Sequence, residues 1–241
     1  MPTAPRLETG PWQGSGWRAV EAQHKNATMA LAQGRLADQA RLEDIIEAVK
    51  PPLPAAAVGL HFLLSTPFRY RSPPPAGSRF RARNDPGVFY GAEDEQTACA
   101  EAGYWRWRFW QDSAGLRAQP LTMPMTLFRF HGATTRCLDL TQAPLVDEQR
   151  HWTHPTDYQR TQALAAHARQ EQVELIRYAS VRHAPIGRCL AVLAPAFFRN
   201  VAEPYRNEQQ SWSLFLQPAA QIVWQRSMDS VSFTFGFAES D

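Results

Sequence analysis

Apolar residues recur along the chain with two different periods, and their order predicts the architecture. Leu42, Ile45, Ile46 and Val49 fall at i, i+3, i+4 and i+7, so Trp17 to Lys50 reads as helical, with Gly34 dividing it into two helices. Pro51, Pro52 and Pro54 end that stretch. Gly59 to Leu64 reads as a short buried strand, and Pro73-Pro74-Pro75 as a stiff turn. Val88-Phe89-Tyr90 is a strand closed by Gly91, followed by a helix over Glu93 to Gln111 with Asp94 as its cap. Met125–His131, Glu174–Val181 and Arg188–Leu193 read as strands, with a helix over Asp157 to Gln170 between the first two. Ser213–Gln217, Gln221–Gln225 and Ser230–Phe237 add three more, turning at Pro218 and Met228-Asp229. Helices come first and between, while strands crowd the second half. That order predicts an α+β fold with a mixed or antiparallel sheet.

Composition narrows the class. At 241 residues, 44% hydrophobic and 20% charged, the chain suits one compact unit with a substantial core. Ala143–His154 is the one stretch loop-like enough to divide it. Lys and Arg number 25 against 23 Asp and Glu, a net +2, which argues against nucleic-acid or membrane-surface binding driven by bulk charge. Cys99, Cys137 and Cys189 are scattered, odd in number and outside any CxxC pattern, so neither a disulfide framework nor a zinc site is expected. Met1 to Gly16 reads as a frayed start without signal-peptide character, and the longest apolar run, Ala55 to Leu64, is too short to span a bilayer. The cytoplasm is the expected compartment.

The candidate chemistry is concentrated in residues 67–104. Arg69, Arg71, Arg79, Arg81 and Arg83 lie among Pro/Gly turns, and guanidinium forks suit phosphate or carboxylate. Solvated strand faces would explain the same arginines. Arg79 follows Gly77-Ser78, where backbone can approach a ligand closely. Glu101 shares a helix face with Thr97, Ala98, Tyr104 and Trp105, and a carboxylate on such a stripe needs a partner or a task. Tyr90 ends a strand beside Gly91. Ser180 has no Gly-x-Ser-x-Gly context, which leaves it as a hydrogen-bond donor. His151 and His154 are three apart, but Pro155 disfavours a helical metal pair; no HExxH, P-loop or GxGxxG occurs. Tyr104, Trp105, Trp107, Phe109 and Trp110, interleaved with Arg106 and Arg108, suit either stacking on single strands or packing against a sheet.

Together, Arg18-Ala19-Val20-Glu21-Ala22-Gln23, Lys50-Pro51-Pro52-Leu53-Pro54, Pro67-Phe68-Arg69-Tyr70, Gly77-Ser78-Arg79-Phe80-Arg81, Gly87-Val88-Phe89-Tyr90-Gly91, Ala100-Glu101, Gln159-Arg160-Thr161-Gln162 and Tyr178-Ala179-Ser180 resemble the RES-domain family. The resemblance implies an ADP-ribosyltransferase-like core over residues 59–241 with an N-terminal helical extension over 1–58. It also implies a toxin of a bacterial toxin–antitoxin pair that attacks NAD+ as substrate, without a metal, and a helix-turn-helix antitoxin as partner. No direct nucleic-acid or membrane partner is implied. Arg79, Glu101 and Ser180 match the name-giving residues, with Tyr90 as the accompanying aromatic and Arg69, Tyr70 and Arg81 as supporting NAD-binding residues. The family's Gly-Gly-Arg-Trp run stands here as Gly-Ser-Arg-Phe, so Arg81 competes with Arg79. Water, phosphate or a protein side chain can accept the ADP-ribose. A non-catalytic nucleotide-binding module is the rival from another class.

Overall fold

The structure, a computed structural model, describes residues 7–22, 26–70, 77–117, 119–217 and 221–237. Its strands are β1 (Gly10–Glu21), β2 (Phe89–Ala92), β3 (Leu121–Asp139), β4 (Leu175–Ala179), β5 (Arg188–Val192), β6 (Gln209–Gln217), β7 (Gln221–Arg226) and β8 (Ser232–Gly236). The helices are α1 (Asn26–Leu31), α2 (Leu36–Ala48), α3 (Phe62–Arg69), α4 (Glu95–Asp112), α5 (Gln149–Trp152), α6 (Gln159–Gln170) and α7 (Ala196–Arg199). This is the expected α+β class. The strand order is β1-β2-β5-β4-β3-β6-β7-β8, and β1 also pairs with β3. Strands β1, β2, β5, β4 and β3 therefore close a circuit, from which β6–β8 extend. All pairings are antiparallel except β3 with β4.

The largest departure from expectation is at the N-terminus. Residues 10–21 form a strand, not a frayed start leading into a helix, so the segment 1–58 is not wholly a helical extension. Trp12 and Val20 pack on one apolar cluster, and Trp17 and Ala19 on the other. Even and odd positions thus serve opposite faces, which is the period of a strand. Beyond it, Gly34 (φ +78°) does separate two helices. The stripe that predicted α2 forms, but it faces outward: Ile45 is 53% and Val49 78% exposed. Gly59 to Leu64 is not a strand. His61 caps α3 by accepting the Leu63 N–H, and Leu64 and Phe68 bury one face at i, i+4. A short apolar run does not by itself distinguish a buried strand from a buried helix. Pro73-Pro74-Pro75 and Pro218 lie outside the described residues.

Two cores flank the sheet. Under α4 lie Trp107, Trp110, Trp212 and Trp224; on the other side Phe89, Phe128, Phe130, Phe197 and Phe198 pack with α3 and α7. Helix α4 starts from a fixed point. Asp94 accepts the Thr97 N–H at 2.7 Å, and Glu93 forms a bidentate pair with Arg177, which also reaches Asp139. Two glycines let β1 and β2 approach. A Cβ on Gly16 would sit 2.5 Å from the Phe130 ring, and one on Gly91 would sit 2.6 Å from it. Gly16→Ala is therefore expected to destabilise the fold by about 1–3 kcal/mol through overpacking. Urea denaturation checks it, and an unchanged midpoint would contradict the packing.

Candidate active site

The site begins with a pinned turn. Ser78 and Arg81 exchange backbone hydrogen bonds of 2.8 and 3.1 Å, closing a loop with Arg79 and Phe80 at its tip. Gly77 enters it at φ +69°, and a Cβ there would meet the Arg81 carbonyl oxygen at 2.1 Å. Three side chains hold the turn from outside. The Tyr90 hydroxyl accepts the Phe80 N–H at 3.0 Å and pairs with Ser78 Oγ at 2.8 Å. Gln162 Nε2 donates to the Ser78 carbonyl, and Arg169 donates to the Phe80 carbonyl and pairs with Asp85. Burial pushes the Tyr90 phenol above its ordinary pKa, so it stays protonated as a structural donor and acceptor.

Opposite the turn, α4 presents Glu101. Ser180, just after β4, donates from Oγ to Glu101 Oε1 at 2.6 Å. The serine oxygen in turn accepts the N–H groups of Arg182 (3.2 Å) and His183 (3.0 Å). With its acceptor capacity used by backbone, the hydroxyl proton has one direction left, toward the carboxylate. Cys189, at the start of β5, approaches the same Oε1 at 3.7 Å. Burial first, and the Glu101 charge second, push its thiol well above the ordinary range, so it remains a weak donor. Among the described residues Oε2 has no hydrogen-bond partner. Tyr178, buried nearby, is likewise held protonated by burial.

Between these walls lies a cavity of about 320 Å³ whose lining includes Arg18, Arg79, Tyr90, Glu101, Trp105 and Arg106. The structure thus brings Arg79, Tyr90 and Glu101 to one cavity, with Ser180 bonded to Glu101. Arg79 is only partly available. Its Nη1 donates to the carbonyls of Trp152 (2.7 Å) and His154 (3.0 Å), and its guanidinium stacks on the Tyr158 ring. Arg69, Tyr70 and Arg81 do not line the cavity. Arg69 pairs with Glu47 and donates to the Pro51 carbonyl. Arg81 donates to the carbonyls of Asp85 and Tyr70. Guanidiniums near backbone oxygens find partners locally, and no sequence spacing distinguishes that use from ligand binding. Between Arg79 and Arg81, the geometry favours Arg79.

Arg18 and Arg106 also line the cavity, a place that the sequence assigns to neither. Arg18 lies on β1, donates to the Tyr90 carbonyl, stacks over Phe89, and keeps Nε buried with no hydrogen-bond partner among the described residues. Burial and then the neighbouring Arg106 lower its pKa to about 10, still a cation at neutral pH. Arg106 pairs with Glu21 at 3.0 Å. The signal for Arg18 was present in the run Arg18 to Gln23, but reading that run as helix hid which wall it faces. Among the described residues no cluster of three or more His, Cys, Asp or Glu could hold a metal; His154 instead accepts the Thr156 and Asp157 N–H groups. No helix there is long and apolar enough to cross a membrane.

Comparison with known proteins gives these residues a family. The RES domain model matches residues 52–217. The chain belongs to the RES-domain family. Arg79, Tyr90, Glu101 and Ser180 fall inside the matched region, whereas Arg18 precedes it. Among solved structures the RES-domain chain is similar to one in the M. tuberculosis MbcT–MbcA toxin–antitoxin complex, with 13% identity, 88% of each chain covered and a TM-score of 0.48. No curated protein matches.

The Cys189 contact can be read in solution. Because the Glu101 carboxylate disfavours the thiolate, Glu101→Gln is expected to lower the Cys189 pKa and speed its alkylation by iodoacetamide several-fold at mildly alkaline pH, resolved by peptide mass spectrometry. A rate equal to or below wild type would place the two groups apart.

Proposed function

We propose that the protein is a toxin-type enzyme that cleaves the nicotinamide–ribose bond of NAD+, with water or phosphate as acceptor. The observation that carries this reading is a serine-oriented carboxylate on the wall of an arginine-lined cavity. In the reaction the C1′–N bond breaks with its electron pair leaving on nicotinamide, and positive charge develops on the ribose. Glu101 lies where a fixed negative charge stabilises that cation, and Ser180 holds the carboxylate in place without a cost of reorganisation. Water then adds to C1′ and loses its proton, giving ADP-ribose, nicotinamide and one proton; phosphate would give the 1″-phosphate.

Arg18 and Arg106 face the diphosphate, and the Nε and Nη2 groups of Arg79, which have no hydrogen-bond partner among the described residues, reach the same anion. Tyr90 serves as the wall and pin of the turn, its hydroxyl committed to Phe80 and Ser78. The resemblance that supplies NAD+ as substrate also supplies the partner, a helix-turn-helix antitoxin, in a cytoplasmic setting.

Incubating purified protein with NAD+, with and without phosphate, and identifying the products tests the reading. One electrostatic contact to a developing charge contributes on the order of 3–4 kcal/mol. Glu101→Gln is therefore expected to lose at least about a hundredfold in nicotinamide release, with circular dichroism unchanged. Arg18→Ala, which removes a contact to a diphosphate whose charge stays constant, is expected instead to raise the KM for NAD+. Wild-type turnover in Glu101→Gln would refute the assignment.

A further inference from the structure

Helix α4 carries aromatic residues in two populations. Tyr104, Trp107 and Trp110 are buried against the sheet, as a packed helix requires. Trp105 and Phe109 are not: they are 51% and 64% exposed. They follow Glu101 at i+4 and i+8, so they continue the face that carries the carboxylate, Trp105 lying roughly 6 Å further along the helix axis. An isolated exposed tryptophan needs no explanation. This one lines the cavity beside Arg18 and Arg106 while half of its surface stays in solvent.

Size sets the second constraint. At about 320 Å³ the cavity is at the small end of ligand pockets, which run from about 300 to 1,000 Å³. A dinucleotide has two nucleosides joined by a diphosphate. If the ribose to be cleaved lies against Glu101 and the diphosphate against the arginines, little enclosed space remains, and the second nucleoside must emerge past the mouth. The group waiting there is an indole, whose flat apolar face suits a purine.

We propose that Trp105 is the stacking platform for the adenine of the bound dinucleotide, with Arg106 beside it on the phosphates. This inference rests on the NAD+ reading and adds to it a subsite at the exposed edge of the cavity. It predicts that specificity for the adenosine half is set on α4, one turn beyond the reacting carboxylate, and that ligands lacking that half ignore the indole.

The experiment is calorimetric titration of wild-type, Trp105→Ala and Trp105→Phe proteins with ADP-ribose and with nicotinamide mononucleotide, at fixed salt. Trp105→Ala is expected to weaken ADP-ribose binding by about tenfold or more, the scale of one lost base–aromatic stack. Trp105→Phe should stay within a few-fold of wild type, and nicotinamide mononucleotide should bind all three alike. Equal ADP-ribose affinity in Trp105→Ala and wild type overturns the proposal. So does a parallel loss for nicotinamide mononucleotide, which would put the indole on the inner half, or failure of any protein to bind ADP-ribose. Tighter binding of a single-stranded oligonucleotide with steep salt dependence also overturns it. Nicotinamide release by the wild type reports separately on the underlying reading: release with an unaffected Trp105→Ala removes the platform and leaves the enzyme.

Discussion

The arrangement depends on one hydrogen bond, from Ser180 Oγ to Glu101 Oε1 at 2.6 Å. A carboxylate on a helix face lined with alanine and aromatic side chains is costly unless something fixes and satisfies it. The serine fixes it and satisfies one of its oxygens, and it can do so because the Arg182 and His183 N–H groups occupy its own oxygen. Direction is thereby imposed by backbone, not by a side chain free to rotate. Every other feature of the site either brings these two residues together or shapes the space in front of them.

Bringing them together is the task of the sheet. Ser180 leaves the end of β4, Cys189 begins its antiparallel neighbour β5, and Glu101 hangs over both from α4. Helix α4 is fixed at its start by the Asp94 cap and the Glu93–Arg177–Asp139 cluster, so a residue two turns on has a defined height above the strands. The facing wall is equally constrained: Tyr90 from β2 and Gln162 and Arg169 from α6 hold the Ser78–Arg81 turn. Rigid support around a reacting group is what electrostatic stabilisation requires, since donors that must first move contribute less.

Much of this was legible in the sequence where the signal was local. The Asp94 cap, the α4 helix, the later strands and the dividing role of Gly34 follow from spacing and turn chemistry. Glu101 stood out because a charge on an apolar stripe calls for an explanation. What was hidden depends on long-range contacts. β1 takes its form from pairing with β3, and a tract that also contained good helix formers concealed it; Arg18 was lost with it. Arg69 and Arg81 carry the same chemistry as Arg79, but which guanidinium reaches the cavity is decided by the nearest carbonyls. The stripe of α2 was read correctly as helical, yet periodicity does not say whether the apolar face meets the core.

The most direct test of the central pair is a double-mutant cycle on nicotinamide release from NAD+, using Ser180→Ala, Glu101→Gln and the two combined. If the serine acts through the carboxylate, the double variant should be no slower than Glu101→Gln alone, because the hydroxyl has nothing left to orient. Losses that multiply, or a wild-type protein that releases no nicotinamide, would contradict the account.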